Sequence, residues 1–225
     1  YIPELKQLGI KSINLSMDTL DRERFKIITR RDEFGKTFDT LQSLIEHGIA
    51  VKINTVVMDG KNIEDIIPIV RLAQVQDVSV RFIEEMPFNG EGSHYAELKW
   101  THKKILDHIR QEFPDIQKAA RPSNSTADLY TIPGFKGTIG IIASFTRTFC
   151  GSCNRIRVTA QGTLKTCLYD DGVLNVKDLM RGGESDAVIT QALLAAFSSR
   201  PKDGFEAEQR RKQHVVSESM STIGG

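Results

Sequence analysis

Strand and helix patterns alternate along the first 84 residues, and this alternation restricts the fold more than any other feature of the sequence. Strands that alternate with helices at this spacing form βαβ units and pair as a parallel sheet. Because ligands bind at the carboxyl ends of parallel strands, the segments of interest are Ser16–Asp18, Glu84–Met86 and the end of the strand that carries Lys52. The predicted strands cover residues 12–17, 51–57 and 77–83.

The pattern changes after the loop at residues 87–99, which contains the turn signal Asn89-Gly90 and is the best candidate for a domain boundary. One amphipathic helix is predicted from Thr101 to Phe113. Short strands then follow one another without intervening helices. They are predicted near residues 128–132, 137–144, 154–160 and 163–168, before helices near 174–180 and 185–198 and a polar tail from Lys202 to Gly225. We therefore divide the chain into domains at residues 1–98 and 99–225.

Composition and charge exclude several classes of protein. The chain has 225 residues, with 30 Lys and Arg against 29 Asp and Glu, so its formal net charge is +1. A nucleic-acid partner is not expected, because a domain that binds nucleic acid is normally strongly basic. A membrane partner is not expected either, since no apolar run approaches the roughly 20 residues of a membrane helix. The chain begins with Tyr1 inside a helical pattern, and we expect it to be a piece of a longer protein.

Three cysteines, Cys150, Cys153 and Cys167, lie within one stretch of 18 residues. The first two have the C-x2-C spacing of metal ligands. A hairpin that turns at Gln161-Gly162 would bring the third cysteine back beside them. The alternative is three buried and inert thiols, which the specific spacing disfavours.

Three thiolates leave the identity of the metal open. A tetrahedral zinc needs a fourth ligand, for which His214 and His94 are candidates, and the protein would then be a metal-binding module without enzymatic activity. A four-iron, four-sulfur cluster would instead keep one iron free to bind a substrate atom. Analysis of iron, sulfide and zinc distinguishes these two interpretations.

The cysteines lie in a stretch that carries only positive charge. Residues 129–169 contain no Asp or Glu, but they contain Lys136, Arg147, Arg155, Arg157 and Lys165. Arginine binds phosphate well because its planar fork donates two hydrogen bonds at once. Although a pair of arginines on a strand is often only a solvated face, next to an open metal site this stretch favours an anionic ligand.

Residues 149–168 (FCGSCNRIRVTAQGTLKTCL) closely resemble the C-terminal signature of the MoaA family. These radical S-adenosylmethionine enzymes cyclise GTP in the first step of molybdenum cofactor biosynthesis. Four further segments resemble the same family in the same order, so that the resemblance covers essentially the whole chain. They are residues 13–20 (INLSMDTL), 51–54 (VKIN), 80–87 (VRFIEEMP) and 223–225 (IGG).

The resemblance implies a role for individual residues. The three cysteines match the ligands of the family's second [4Fe-4S] cluster, whose open iron binds the guanine of GTP. Other positions match residues that contact GTP, residues that contact S-adenosylmethionine, and a C-terminal tail that enters the active site. The GTP positions are Lys52, Arg155, Ile156 and Arg157, with Arg81 facing the same cavity; the S-adenosylmethionine positions are Ser16 and Met86; the tail is Gly224-Gly225.

The sequence departs from the family at one point. The family's radical chemistry starts at an N-terminal C-x3-C-x2-C motif, and these 225 residues contain no such motif. The resemblance therefore implies the C-terminal portion of a GTP 3′,8-cyclase: an incomplete (β/α)6 TIM-like barrel followed by a smaller β-rich α+β iron–sulfur domain. S-adenosylmethionine and a second [4Fe-4S] cluster would belong to the longer protein, and we expect this portion to bind GTP without catalysing the reaction alone.

The remaining expectations are broader. A paralogue that acts on another nucleotide or on a peptide is a third interpretation of the same fold. The expected compartment is the cytoplasm, or the mitochondrion in a eukaryote, and a homodimer is left open as the assembly.

Overall fold

A computed structural model describes residues 1–86, 98–120, 125–211 and 223 of the chain. Its helices are α1 (Ile2–Gln7), α2 (Arg22–Thr29), α3 (Phe34–Glu46), α4 (Ile66–Val75), α5 (His102–Glu112), α6 (Val176–Arg181), α7 (Asp186–Ser198) and α8 (Gly204–Gln209). Its strands are β1 (Ser12–Ser16), β2 (Ala50–Val57), β3 (Val78–Glu84), β4 (Gln117–Lys118), β5 (Ala127–Thr131), β6 (Thr138–Ile142), β7 (Arg157–Val158), β8 (Thr163–Lys165) and β9 (Leu174–Asn175). No helix in these ranges is long and apolar enough to cross a membrane.

The larger sheet has six strands in the order β1-β2-β3-β6-β5-β4. Strands β1, β2, β3 and β6 pair in parallel, whereas β5 and β4 continue the sheet in antiparallel pairing. The prediction of an α/β fold with a parallel sheet is therefore confirmed. Helix α5 connects β3 to the antiparallel strands, which belong to the same sheet and not to a second domain.

The two faces of this sheet differ in chemistry. Residues alternate along β2 and β3 between fully buried and partly exposed positions. The buried series is apolar apart from Thr55 and Glu84. It packs with α3, α4 and α5 into one core that contains Leu41, Ile53, Ile69, Phe82 and Ile105. The other series is largely polar, which is unusual for parallel strands, since both faces of such sheets are normally apolar and covered.

Local signals in the sequence explain where several helices begin. Asp21 precedes α2 and accepts a hydrogen bond from the Arg24 N–H at 2.7 Å. Thr101 caps α5 in the same way, and Asp203 caps α8. Each cap supplies an oxygen for a backbone donor that has no partner within the helix.

The described chain separates into two compact units. The first contains residues 1–85 and 97–146, and the second contains residues 86–96 and 147–225. The sequence placed a boundary between residues 98 and 99. The packing differs because β6 pairs directly with β3, which keeps α5 and β4–β6 in the first unit.

The second unit is built on the antiparallel sheet β7-β8-β9. It has a small core of Tyr169, Ala207 and Ile223, against which Met86 and Leu168 pack. Two details differ from the sequence prediction. Residues 174–175 form strand β9 ahead of α6, and the predicted polar tail contains helix α8. The described residues do not include positions 87–97 of the predicted loop, His94, His214 or Gly224-Gly225.

One buried carboxylate joins three segments of the first unit. The side chain of Glu84, at the end of β3, is fully buried. It accepts hydrogen bonds from the His102 backbone N–H at 2.6 Å and from the Thr146 N–H at 2.8 Å. It also accepts from the Phe145 N–H at 3.0 Å, while its own carbonyl oxygen accepts from the Ser144 hydroxyl at 2.6 Å. Glu84 therefore fixes the start of α5 and the segment after β6 to the end of β3.

We predict that Glu84→Ala lowers the free energy of unfolding by about 3 kcal/mol, because it leaves several buried donors without an acceptor. Urea-induced unfolding measures this change. Glu112→Ala is the matched control, since Glu112 forms an exposed ion pair with Arg71. It should cost less than about 1 kcal/mol. Equal losses in the two variants would contradict the role of Glu84.

Candidate functional site

The three cysteines are brought together by a hairpin in the second unit. Cys150 opens a 3-10 turn that ends before Cys153. Strands β7 and β8 then pair antiparallel, with Arg157 opposite Lys165, which returns the chain to Cys167. At the turn, Gly162 has a φ of +88°, a conformation that favours glycine. The predicted hairpin is therefore confirmed.

The cysteine thiols are partly buried, and all three are free of disulfides. Burial raises the pKa of Cys150, and a hydrogen bond from the Gly204 N–H lowers it. Burial also raises the pKa of Cys167, while a hydrogen bond from the Tyr169 N–H lowers it. The charge of Cys153 raises the pKa of Cys150 further, and the charges of Cys150 and Cys153 raise the pKa of Cys167. The three sulfur atoms are therefore close enough to influence one another electrostatically.

The donor chemistry of this group suits a soft metal or an iron–sulfur cluster. It consists of three free thiols, and burial raises the pKa values of Cys150 and Cys167, so these two must lose their protons when they bind a cation. Within the described ranges, however, no three His, Cys, Asp or Glu side chains lie close enough together to hold a metal ion.

Arg157 connects the thiols to the positive charges that the sequence singled out. Burial lowers the pKa of its guanidinium, and the nearby charge of Arg155 lowers this pKa further. The thiolates of Cys153 and Cys167 raise the same pKa. Arg155 and Ile156 are exposed, whereas Arg157 is partly buried. The structure therefore places Arg157 near Arg155 and near the thiols of Cys153 and Cys167, and the binding of an anion there stays a prediction.

Two other positive residues of the same stretch are buried. Lys165 is only 1% exposed. Arg147 lies with its guanidinium 3.7 Å from the centre of the Tyr169 ring and 4.4 Å from that of Phe205, and it forms an ion pair with Glu208 at 2.9 Å. Burial raises the pKa of Tyr169 to about 12. The guanidinium of Arg147 is therefore engaged by aromatic and acidic neighbours, and the residue forms part of the packing of this unit.

Backbone contacts hold the first two cysteines in place. The Cys150 N–H donates to the carbonyl oxygen of Arg147 at 3.2 Å. The guanidinium of Arg200, which follows α7, donates to the carbonyl oxygen of Cys153 at 2.7 Å. Gly204 leaves no room for a side chain, because a Cβ there would lie 2.9 Å from Cδ of Arg147. The carbonyl oxygen of Arg147, the side chain of Arg200 and the backbone N–H of Gly204 thus support the C-x2-C loop.

The first unit carries the other predicted residues on the polar face of its sheet. The strand register forms one row from Asn14 through Lys52 to Ser79. A second row, nearer the carboxyl ends, runs through Ser16, Asn54 and Arg81 and ends at Gly140 of β6.

Lys52 and Arg81 both sit on this polar face. The ammonium of Lys52 is 3.5 Å from the hydroxyl of Ser12, a long contact that leaves it available to a further partner. A Cβ at Gly140 would be 3.1 Å from Cγ of Arg81, so the missing side chain of this glycine makes room for the arginine. The face therefore offers two cations and several polar groups to a ligand.

Polar groups also fix the carboxyl end of β1. The Asp18 carboxylate accepts a hydrogen bond from the Val56 N–H at 2.8 Å. Asn62, which is buried, donates to the carbonyl oxygens of Asp18 and Val56, both at 2.8 Å. Burial raises the pKa of Asp18, and the Val56 N–H lowers it.

Ser16 and Met86 lie in different environments. Ser16, the last residue of β1, is exposed. Met86 is partly buried and packs against the small core of the second unit. Their predicted contact with S-adenosylmethionine stays a prediction.

Comparisons with known proteins identify the families to which the two parts of the chain are similar. Residues 1–73 match the Radical SAM superfamily, and residues 78–206 match the family described as Molybdenum Cofactor Synthesis C. The chain is 37% identical to molybdenum cofactor biosynthesis protein 1 of Bos taurus, over 96% of its own length and 34% of that protein. The corresponding human protein is also 37% identical, over 99% of the chain and 33% of that protein.

A bacterial relative is matched over more of its length. The GTP 3′,8-cyclase of Clostridium perfringens strain SM101 is 35% identical over the whole chain and 68% of that enzyme. The fold and the matches define a radical S-adenosylmethionine type of protein. The chain belongs to the molybdenum cofactor synthesis family that includes the GTP 3′,8-cyclases. It spans about a third of the length of the animal relatives that it matches.

Sequence reasoning missed the residues that support the thiols. Asp170, Arg200 and Gly204 contact or adjoin the cysteine-bearing segments, but none belongs to a recognisable metal motif. The Asp170-Asp171-Gly172 run after Cys167 is a turn signal that could have indicated the first of them. The other two come from distant positions and leave no local signal.

We predict that Asp18→Asn becomes more favourable relative to the parent as the pH rises from about 3 to 7. Because the folded pKa of Asp18 is raised, its contribution to stability is fully present below the unfolded pKa. This contribution is lost as the pH rises through the folded pKa. The amide oxygen of asparagine can still accept from Val56. Urea unfolding at both pH values measures the difference.

Asp32→Asn is the control with the opposite sign. Its hydrogen bond and ion pair with Arg22 lower the pKa of Asp32, so its contribution is present above the unfolded pKa and is lost as the pH falls. If the two variants respond to pH in the same direction, the assigned environment of Asp18 is wrong.

Proposed function

We propose that this chain is the GTP-binding, substrate-cluster portion of a GTP 3′,8-cyclase. The observation that carries the proposal is the juxtaposition of three free thiols with the partly buried Arg157 in a unit whose sequence matches the Molybdenum Cofactor Synthesis C family. The identity to a bacterial GTP 3′,8-cyclase, of which the chain covers 68%, supports the same activity for the longer protein.

The parallel strands are proposed to belong to an incomplete (β/α)6 barrel. The polar series on β1, β2 and β3 supports this, because an open sheet would bury apolar residues on both faces whereas a barrel that encloses a ligand needs a polar lining. The match of residues 1–73 to the Radical SAM superfamily supports it independently. In this proposal, Lys52 and Arg81 point toward the enclosed ligand.

Cys150, Cys153 and Cys167 are proposed to hold a [4Fe-4S] cluster. When bound, such a cluster supplies an open iron that can coordinate a substrate atom. The role of the protein is to keep the three thiols partly buried and to place a cation beside them. Burial raises the pKa values of Cys150 and Cys167, so a cluster must displace the protons of these two thiols when it binds.

Arg155 and Arg157 are proposed to bind the triphosphate of GTP, with Ile156 beside them and Lys52 contributing from the barrel. Burial and the nearby charge of Arg155 lower the pKa of Arg157, which supports a site that favours a negative partner. A phosphate group would supply the missing negative charge and accept paired hydrogen bonds from the guanidinium.

Ser16 and Met86 are proposed to contribute to a pocket for S-adenosylmethionine. Cleavage of that cofactor requires an electron from a second cluster. The chain has three cysteines in all, and the proposed substrate cluster uses each of them. The whole activity therefore belongs to the longer protein in this proposal, and these 225 residues bind and orient the substrate.

We predict that anaerobic reconstitution of the chain with iron and sulfide gives about four of each per chain. Cys167→Ser should lose most of the bound iron, because Cys167 is one of the three proposed ligands. Ser152→Ala is the control, since it changes the C-x2-C loop without removing a sulfur. Iron, sulfide and zinc analysis provides the measurement. Stoichiometric zinc without sulfide would replace the proposal with a zinc-binding module.

We also predict that Arg157→Ala weakens GTP binding to the reconstituted chain by about 10- to 150-fold, the effect of losing about 1.5–3 kcal/mol of charge-assisted hydrogen bonding. Calorimetric titration with GTP measures this affinity. Arg181→Ala, which removes an exposed arginine at the end of α6, is the control and should bind GTP like the parent. Unchanged affinity in Arg157→Ala would show that Arg157 is not a phosphate ligand.

A further inference from the structure

One buried carboxylate organises the segment that carries the third cysteine. Asp170 is 8% exposed. Its Oδ2 accepts hydrogen bonds from the Cys167 N–H at 2.8 Å, the Thr166 N–H at 2.9 Å and the Thr166 hydroxyl at 3.0 Å. Its Oδ1 accepts from the Gly172 N–H at 2.9 Å. A single side chain thus satisfies donors on both sides of the turn.

The contact with Cys167 is reciprocal. While the Asp170 carboxylate accepts from the Cys167 N–H, the Asp170 N–H donates to the Cys167 carbonyl oxygen at 3.3 Å. Both backbone groups of the cysteine are therefore held by the same residue. The far end of the turn is confined as well, because a Cβ at Gly172 would lie 2.3 Å from Cγ2 of Thr163. The turn has little freedom to place Cys167 elsewhere.

Cys167 depends on this support more than the other two cysteines do. Cys150 and Cys153 share one short turn, in which the Cys153 N–H donates to the Cys150 carbonyl oxygen at 3.1 Å. Cys167 lies on the other side of the β7–β8 hairpin, beyond the end of β8. Its distance from the other thiols is therefore set by the hairpin register together with the turn that Asp170 holds.

The charge of Asp170 cannot explain its presence beside a thiol. A carboxylate next to a cysteine disfavours the thiolate, and the charge of Asp170 indeed raises the pKa of Cys167, although less than burial does. A residue selected for electrostatic activation of the thiol would be positive. Its four hydrogen bonds are the favourable contribution, and three of them act on the backbone.

We propose that Asp170 is a positioning residue that presets Cys167 as the third ligand of the metal or cluster site. This inference rests on the proposed function, since it presupposes that the three thiols share one group. Residues that orient metal ligands through hydrogen bonds commonly change metal affinity by about 10- to 100-fold when they are replaced.

The substitution that isolates this role is Asp170→Asn. Asparagine has the same shape, but one of its two polar atoms is an amide NH2, which cannot accept a hydrogen bond. The variant can therefore keep the donors at Cys167 and Thr166 or the donor at Gly172, but not both sets. Asp171→Asn is the matched control, because it makes the same chemical change at the next residue, whose carboxylate pairs with Arg211 at 2.8 Å.

The experiment compares the parent, Asp170→Asn and Asp171→Asn after anaerobic reconstitution with ferrous iron and sulfide. The rate of iron loss to a chelator such as EDTA is followed by the visible absorbance of the cluster. We expect Asp170→Asn to lose iron at least tenfold faster than the parent, and Asp171→Asn to behave like the parent. Similar rates in all three proteins, with the parent fully loaded, would overturn the role of Asp170.

A second readout uses the metal-free chain. Alkylation by iodoacetamide, resolved for each cysteine by mass spectrometry, should change severalfold at Cys167 in Asp170→Asn and remain unchanged at Cys150. A general loss of structure would alter both cysteines and would contradict a local role. If Asp170→Asn does not fold, Thr166→Val removes one of the four hydrogen bonds and should produce a smaller change at Cys167 alone; no change there would also contradict the proposal.

The proposed function and the role of Asp170 are overturned by different results. A parent chain that takes up no iron and sulfide overturns the proposed function and, with it, the role of Asp170 as the support of a metal ligand. A parent chain that loads normally, next to an Asp170→Asn variant that holds iron equally well, overturns only the role of Asp170.

Discussion

The pairing of β7 with β8 is the contact on which the candidate site depends. Arg157 lies opposite Lys165 in this pairing, and the hairpin returns the chain to Cys167. A shift of the register by one residue would turn Arg157 to the other face and move Cys167 away from the C-x2-C loop. Burial of Lys165 and Leu164 on β8, and the positive φ of Gly162 at the turn, both restrict such a shift.

The hairpin alone does not complete the site, since each thiol-bearing segment is held by residues that lie later in the chain. Arg200 binds the carbonyl oxygen of Cys153, Gly204 lies beside Cys150, and Asp170 holds Cys167. Their common effect is to place three thiols and Arg157 in a partly buried environment. Charge that would be screened in water acts more strongly there, which suits a site for an anionic ligand.

The sequence was most informative where a repeating pattern reports on burial. The apolar strand patterns predicted β2 and β3 closely, and the C-x2-C spacing with the Gln161-Gly162 turn predicted the hairpin. It was least informative where long-range pairing decides the outcome. The parallel pairing of β6 with β3 shifted the boundary between units, and no local signal at Thr138 or Ser79 announces it. The contact of Arg200 with Cys153 was missed for the same reason.

The central claim is that one iron of a cluster held by Cys150, Cys153 and Cys167 is open to GTP. Mössbauer spectroscopy of the chain reconstituted with 57Fe, with and without GTP, tests it most directly. The account predicts that about one quarter of the iron signal changes when GTP is added, because only the iron without a thiolate ligand meets the nucleotide. A [4Fe-4S] spectrum that GTP leaves unchanged, at a concentration that saturates calorimetric binding, would contradict it.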